Sequence, residues 1–280
     1  MEKNIFKTPL FNAAKKGILE EVKFICETNI EEEERVSEYY PSLYIASYQG
    51  NEEIVEYLLY MGADPNYSFK NYLPPLHAAA QKGRLSIVKL LLDYGAEINP
   101  KPEEGFFSSP LLTASRGGHE FMVKFLLDHG ANIEAKLNPI CVRVSSVIER
   151  LFAYGDYSES EINSKSEKIG YTSLHLSADN GERRVVRILI KYGANVNSKS
   201  NLNISPLFVA IIKNFESIIQ LLKKGGANLN DTVNGVSLCQ YLILRDRKKN
   251  DSNKQKSCQD PNSEEEKSEE EEEEYSSDEK

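Results

Sequence analysis

Residues Pro74–Asn99, PPLHAAAQKGRLSIVKLLLDYGAEIN, hold two helix-length patterns punctuated by two glycines. Leu76, Ala79 and Ala80 give the first pattern a narrow face of small residues, against which a neighbouring helix can pack closely. Gly83 ends that helix, because a helix stop commonly needs a left-handed residue, a conformation glycine adopts without strain. Ile87, Val88, Leu90, Leu91 and Leu92 supply a wider apolar face to a second helix. Gly95 ends it in the same way, and the chain leaves through Ala96-Glu97-Ile98-Asn99 toward a turn.

The same arrangement recurs along the chain. Leu10, Leu43, Leu76, Leu111, Leu174 and Leu207 are spaced by 33, 33, 35, 63 and 33 residues. Gly17, Gly50, Gly83, Gly118 and Gly181 stand seven residues after the first five of these leucines. Gly62, Gly95, Gly130, Gly193 and Gly226 stand nineteen residues after the last five. In the Leu207 unit Asn214 takes the first glycine's place, and asparagine is the best non-glycine occupant of a left-handed site. A fixed period of this length predicts a stacked array in which each unit buries its apolar face only against its neighbours.

Pro75-Leu76-His77-Ala78-Ala79, Ser109-Pro110-Leu111-Leu112-Thr113-Ala114, Thr172-Ser173-Leu174-His175 and Ser205-Pro206-Leu207-Phe208-Val209-Ala210 resemble the T-P-L-H-x-A signature of ankyrin repeats. The G-A-x-x-N ends at Gly62, Gly95 and Gly193 extend the resemblance, which covers roughly residues 5 to 244. It implies an all-α solenoid of stacked helix-turn-helix units with projecting β-turn or hairpin loops, binding proteins on its concave side.

On this reading residues 1–36 form an N-terminal capping repeat and 37–134 hold three regular repeats. Residues 135–170 hold a degenerate repeat plus an inserted loop. Two regular repeats follow at 171–230, then a C-terminal capping repeat at 231–249 and a disordered acidic tail at 250–280. For 135–170 two readings stand: a decayed repeat that fills the stack, or a protrusion from it.

The formal charge of −9 resides in the tail. From Asp251 onward there are 13 acidic and 4 basic residues, so the 30 acids and 30 bases upstream cancel. A segment ending in SEEEKSEEEEEEYSSDEK has too little apolar surface to offset its ordering entropy. Ser263, Ser268 and Ser276 each have an acid three residues on, resembling acidophilic-kinase sites. Cys26, Cys141, Cys239 and Cys258 show no short pair spacing, which argues against a disulfide framework or a zinc site and for a reducing compartment. There is no apolar run of signal-peptide or membrane-spanning length. The expected setting is cytoplasmic, with nuclear entry possible through the basic run Arg245 to Lys249.

No nucleophile elbow, phosphate-binding glycine loop or paired-carboxylate constellation stands outside the repeat logic, so no enzyme, cofactor or metal is expected. Within the resemblance His77 and His175 occupy the signature position, where the ring bonds loop backbone inside the fold. His119 falls in an inter-helix turn and His129 in a solvent-facing slot. Direct nucleic-acid binding lacks the basic excess it needs. The expected partners are one or more proteins, with no membrane, and the chain is read as a monomer.

In the resembled family the variable, exposed positions lie before the T-P-L and at the end of the first helix. Mapped by offset, they make Tyr40, Tyr48, Gln49, Leu73, Gln81, Lys82, Phe106, Phe107, Arg116, Tyr171, Asp179 and Asn180 the candidate protein-binding residues. Aromatic and arginine side chains are the usual interface anchors. The leading functional expectation is a non-enzymatic interaction module whose acidic tail modulates binding. Two alternatives are an inhibitor masking a basic, DNA-binding type of protein with help from the tail, and a host-targeting effector of an intracellular microbe.

Overall fold

The computed structural model describes residues 8–28, 35–67, 74–100, 109–137, 170–233 and 236–237. The chain divides into two compact units, Met1–Gly235 and Val236–Lys280. Among the described residues, the first holds twelve helices in six pairs. These are α1 (Pro9–Lys16) with α2 (Leu19–Thr28), α3 (Arg35–Gln49) with α4 (Glu52–Tyr60), and α5 (Pro75–Gln81) with α6 (Leu85–Asp93). They continue with α7 (Pro110–Arg116) and α8 (Glu120–Asp128), α9 (Ser173–Asp179) and α10 (Arg183–Lys191), and α11 (Pro206–Lys213) and α12 (Glu216–Lys224). A two-residue strand, β1 (Thr232–Val233), closes the first unit, and β2 (Val236–Ser237) is the described part of the second.

Each pair starts and stops for local reasons. Thr8, Ser109 and Ser205 are N-caps whose side-chain oxygens accept the backbone N–H three residues on, at 3.2, 3.2 and 3.3 Å. The proline that follows each of them needs no intrahelical donor at that position. Gly17 at φ +79° and Asn214 at φ +62° are left-handed helix stops, so asparagine does substitute for glycine in the Leu207 unit. The six ladder leucines are all buried. The second helices bury a narrower set than their apolar composition suggests, as in Ile87, Val88 and Leu91 of α6, while Leu90 and Leu92 are half-buried.

First helices pack on first helices in the order α1, α3, α5, α7, α9, α11, and α8, α10 and α12 pack on each other behind them. The Leu111 and Leu174 units touch directly, α7 packing on α9. Residues 138–169 themselves lie outside the described residues. Between the described residues that flank them, the Leu137 N–H donates to the Tyr171 carbonyl at 2.7 Å.

The stack is stitched by side chains that reach from one unit to the next. Asn66 donates Nδ2–H to the Gly95 carbonyl at 2.9 Å and accepts the Glu97 N–H on Oδ1 at 2.8 Å. Asn99 does the same to Gly130 and Asn132, and Asn197 to Gly226 and Asn228. At the Leu111–Leu174 junction the corresponding residue is Glu134, whose Oε1 accepts the Asn195 N–H at 2.8 Å. A carboxylate has no N–H to complete the second half of that stitch.

α3 departs from expectation. The exposed positions expected before the Pro41-Ser42-Leu43 signature fall inside a helix, which already runs from Arg35 with Pro41 within it. Ser42 Oγ donates to the Glu38 carbonyl at 2.8 Å, and Tyr39 and Tyr40 turn into the core.

Candidate protein-binding surface

Because successive first helices touch, their C-terminal ends form a row in which each repeat contributes two positions. The row reads Lys15 and Lys16, Tyr48 and Gln49, Gln81 and Lys82, Arg116 and Gly117, Asp179 and Asn180, and Ile212 and Lys213. Gln49, Gln81, Lys82, Arg116 and Asn180 are exposed, as the offset mapping expects. Tyr48 is half-buried, with the Lys82 ammonium 4.5 Å above its ring and Tyr44 stacked behind it at 6.4 Å. Lys82 thus fixes the outer face of Tyr48 while keeping its charge toward water. Asp179 is half-buried and pairs with Lys213 at 3.2 Å. Lys15, Lys16, Lys82 and Arg116 have no carboxylate partner among the described residues.

Two candidates are corrected. Tyr40 is 3% exposed and packs against Tyr67 at 5.1 Å, because α3 begins earlier than a T-P-L reading allows. Tyr171 is 2% exposed and stacks on His175 at 5.0 Å, while its carbonyl holds Leu137. Neither ring is accessible to a partner. Leu73, Phe106 and Phe107 lie outside the described residues.

The histidines serve the fold. His175 is buried, donates Nε2–H to the Ile204 carbonyl at 2.9 Å, and accepts on Nδ1 from the Thr172 hydroxyl at 2.8 Å. Burial pushes its pKa down to about 4, which keeps the ring neutral in that tautomer. His77 is buried at the corresponding position of its repeat. His119 reaches back one repeat to the Gln81 carbonyl at 2.9 Å, and His129 Nδ1 donates to the Phe125 carbonyl at 2.8 Å.

A profile of the ankyrin-repeat family matches residues 2–69, 43–137 and 140–233. The chain belongs to the ankyrin-repeat family. It is similar to a putative ankyrin repeat protein of Borreliella burgdorferi, 36% identical over 74 residues, which is 26% of this chain and 32% of that protein. A putative ankyrin repeat protein of Rickettsia bellii is 41% identical over 59 residues, 21% of this chain and 25% of that one. Alpha-latrotoxin-Lh1a of Latrodectus hasselti is 35% identical over 74 residues, 26% of this chain and 5% of the toxin. The chain therefore spans about a third or less of the length of these relatives.

Proposed function

We propose that this chain is a non-enzymatic module that binds a partner protein along the C-terminal ends of its first helices. Ankyrin repeats are in general protein-protein interaction modules and are typically non-enzymatic. The observation that carries the reading is the continuous row of exposed Gln49, Gln81, Lys82, Arg116 and Asn180 with Tyr48 seated under Lys82. A half-buried ring held by a neighbour is already ordered, so a partner covering it loses less side-chain entropy than on a free ring.

The proposed partner is a protein rather than nucleic acid or membrane, and the module acts as a monomer in the cytoplasm, with nuclear entry open. Among the described residues no helix is long and apolar enough to cross a membrane. The acidic tail modulates the interaction electrostatically, which deletion after Asn250 and added salt would weaken alike. Replacing Tyr48, Lys82 and Arg116 together by alanine is expected to abolish partner capture with helicity and melting temperature nearly unchanged. Unaltered capture by that variant would remove this row from consideration.

A further inference from the structure

The second helices carry a charge pattern that the fold does not call for. A helix N-terminus favours acidic residues and its C-terminus basic ones. α4 opens on Glu52 and Glu53, α8 on Glu120 and α12 on Glu216, in keeping with that preference. α10 reverses it in its first turn alone. Arg183 and Arg184 stand there, after Glu182 at the N-cap, followed by Arg187 and, in the last turn where a cation is favoured, Lys191, and all four are exposed. Arg184 pairs with Glu120 of α8 at 3.1 Å, whereas Arg183, Arg187 and Lys191 have no carboxylate partner among the described residues. These three lie at i, i+4 and i+8, on one line along the outside of a helix whose opposite face buries Val185, Val186 and Leu189. Helix stability would be better served by acids at 183 and 184, so the helix dipole accounts for Lys191 but not for the arginines of the first turn.

We infer that the Arg183–Arg187–Lys191 stripe of α10 is a docking site for an extended acidic peptide segment of a partner protein, with carboxylates at alternate residues. The spacing supports the chemistry. Positions four apart on a helix are about 6 Å apart along its axis, and alternate side chains of an extended chain are about 6.6 Å apart. Three carboxylates on one face of such a segment therefore fall in register with the three cations, and each arginine fork suits a carboxylate. The neighbours carry mixed charge: α8 presents Glu120, Lys124 and Asp128, and α12 presents Glu216, Lys223 and Lys224, so the selection of an extended acidic chain rests on the spacing of the three cations. The site is separate from the first-helix row and does not depend on it.

The test titrates the full chain with a fluorescein-labelled twelve-residue peptide of alternating Glu and Ser, followed by anisotropy at low and high ionic strength. Binding is expected to weaken roughly tenfold or more in Arg183→Gln/Arg187→Gln/Lys191→Gln. It should change less than about twofold in Lys15→Gln/Lys16→Gln/Lys89→Gln, which removes equal charge elsewhere. Arg187→Gln alone keeps the comparison valid if the triple variant loses helicity. Arg183→Glu adds an independent reading: it should raise the melting temperature while weakening the peptide. No binding at low ionic strength, equal losses in both triple variants, or a lower melting temperature for Arg183→Glu would each overturn the site. So would tighter binding, through the same residues, of a DNA duplex or of phosphatidylserine vesicles.

Discussion

The junction between the Leu174 and Leu207 units and the one between the Leu111 and Leu174 units differ in how much chain joins them, yet they are built almost alike. At both, first helix packs on first helix and second on second. At both, a side chain of the later repeat covers the inter-helix glycine of the earlier one: Phe215 lies over Gly181, and Glu182 over Gly118. A Cβ on Gly181 would come within 2.9 Å of Phe215 Cζ, so that glycine serves close approach as well as its φ of +78°. The difference lies in the polar seam. Asn197 bridges its junction with a donor and an acceptor, Glu134 with an acceptor alone, and the interrupted junction adds Arg184 to Glu120 and the Tyr192 hydroxyl to Asp128 at 2.6 Å. Stacking is decided by the faces that meet, and the connection between them is secondary.

The sharpest way to break this equivalence is in the core. Leu174→Ala and Leu207→Ala should each cost about 4 kcal/mol, read from urea denaturation followed by circular dichroism. If Leu174→Ala cost under half as much as Leu207→Ala, the interrupted junction would be loosely packed.

A buried ring at the same boundary gives the next effect. The unfolded His175 ring titrates near pH 6.5, and the folded one at about 4. Above the first value both states hold a neutral ring and its contribution is complete. As the pH falls toward the second, the unfolded chain alone takes up the proton, and about 3 kcal/mol is lost. The stability difference between the wild-type chain and His175→Gln should therefore shrink across that window. A difference independent of pH would mean that the ring is not held neutral.

The smallest effect isolates the seam itself. Glu134→Asn should raise stability by about 1 kcal/mol by supplying the missing donor, and Asn197→Glu should lower it by a similar amount. Equal melting temperatures for Glu134→Asn and the wild-type chain would show that the second half of the stitch adds nothing.

What could be read without coordinates was whatever repeats locally. Leucine spacing located every first helix among the described residues, and the left-handed requirement located Gly17 and Asn214 as stops. Offset alone placed Gln49, Gln81, Lys82, Arg116 and Asn180 on the surface. Residues whose role depends on another repeat were illegible. The bridges of Asn66, Asn99 and Asn197 join backbone groups about 30 residues away, and an asparagine there reads equally well as a turn former. Their recurrence four residues after the second glycine was the available signal. Tyr40 and Tyr171 misled because position in a signature does not show burial: the early start of α3 turns Tyr40 onto Tyr67, and Tyr171 stacks on the His175 ring of its own unit. The charge of α10 is plain in RRVVRILIK, but its oddity emerges only when the first turns of α4, α8 and α12 stand beside it.

The hydrogen bond from Leu137 to Tyr171 has an evolutionary consequence. With Leu137 and Tyr171 already sewn together, any flexible insertion between them would add closure cost only slowly, about 0.6 kcal/mol for each doubling of its length. Selection on stability is therefore almost blind to what is spliced in between, and this point becomes a socket where a lineage can exchange one cassette for another while the array endures.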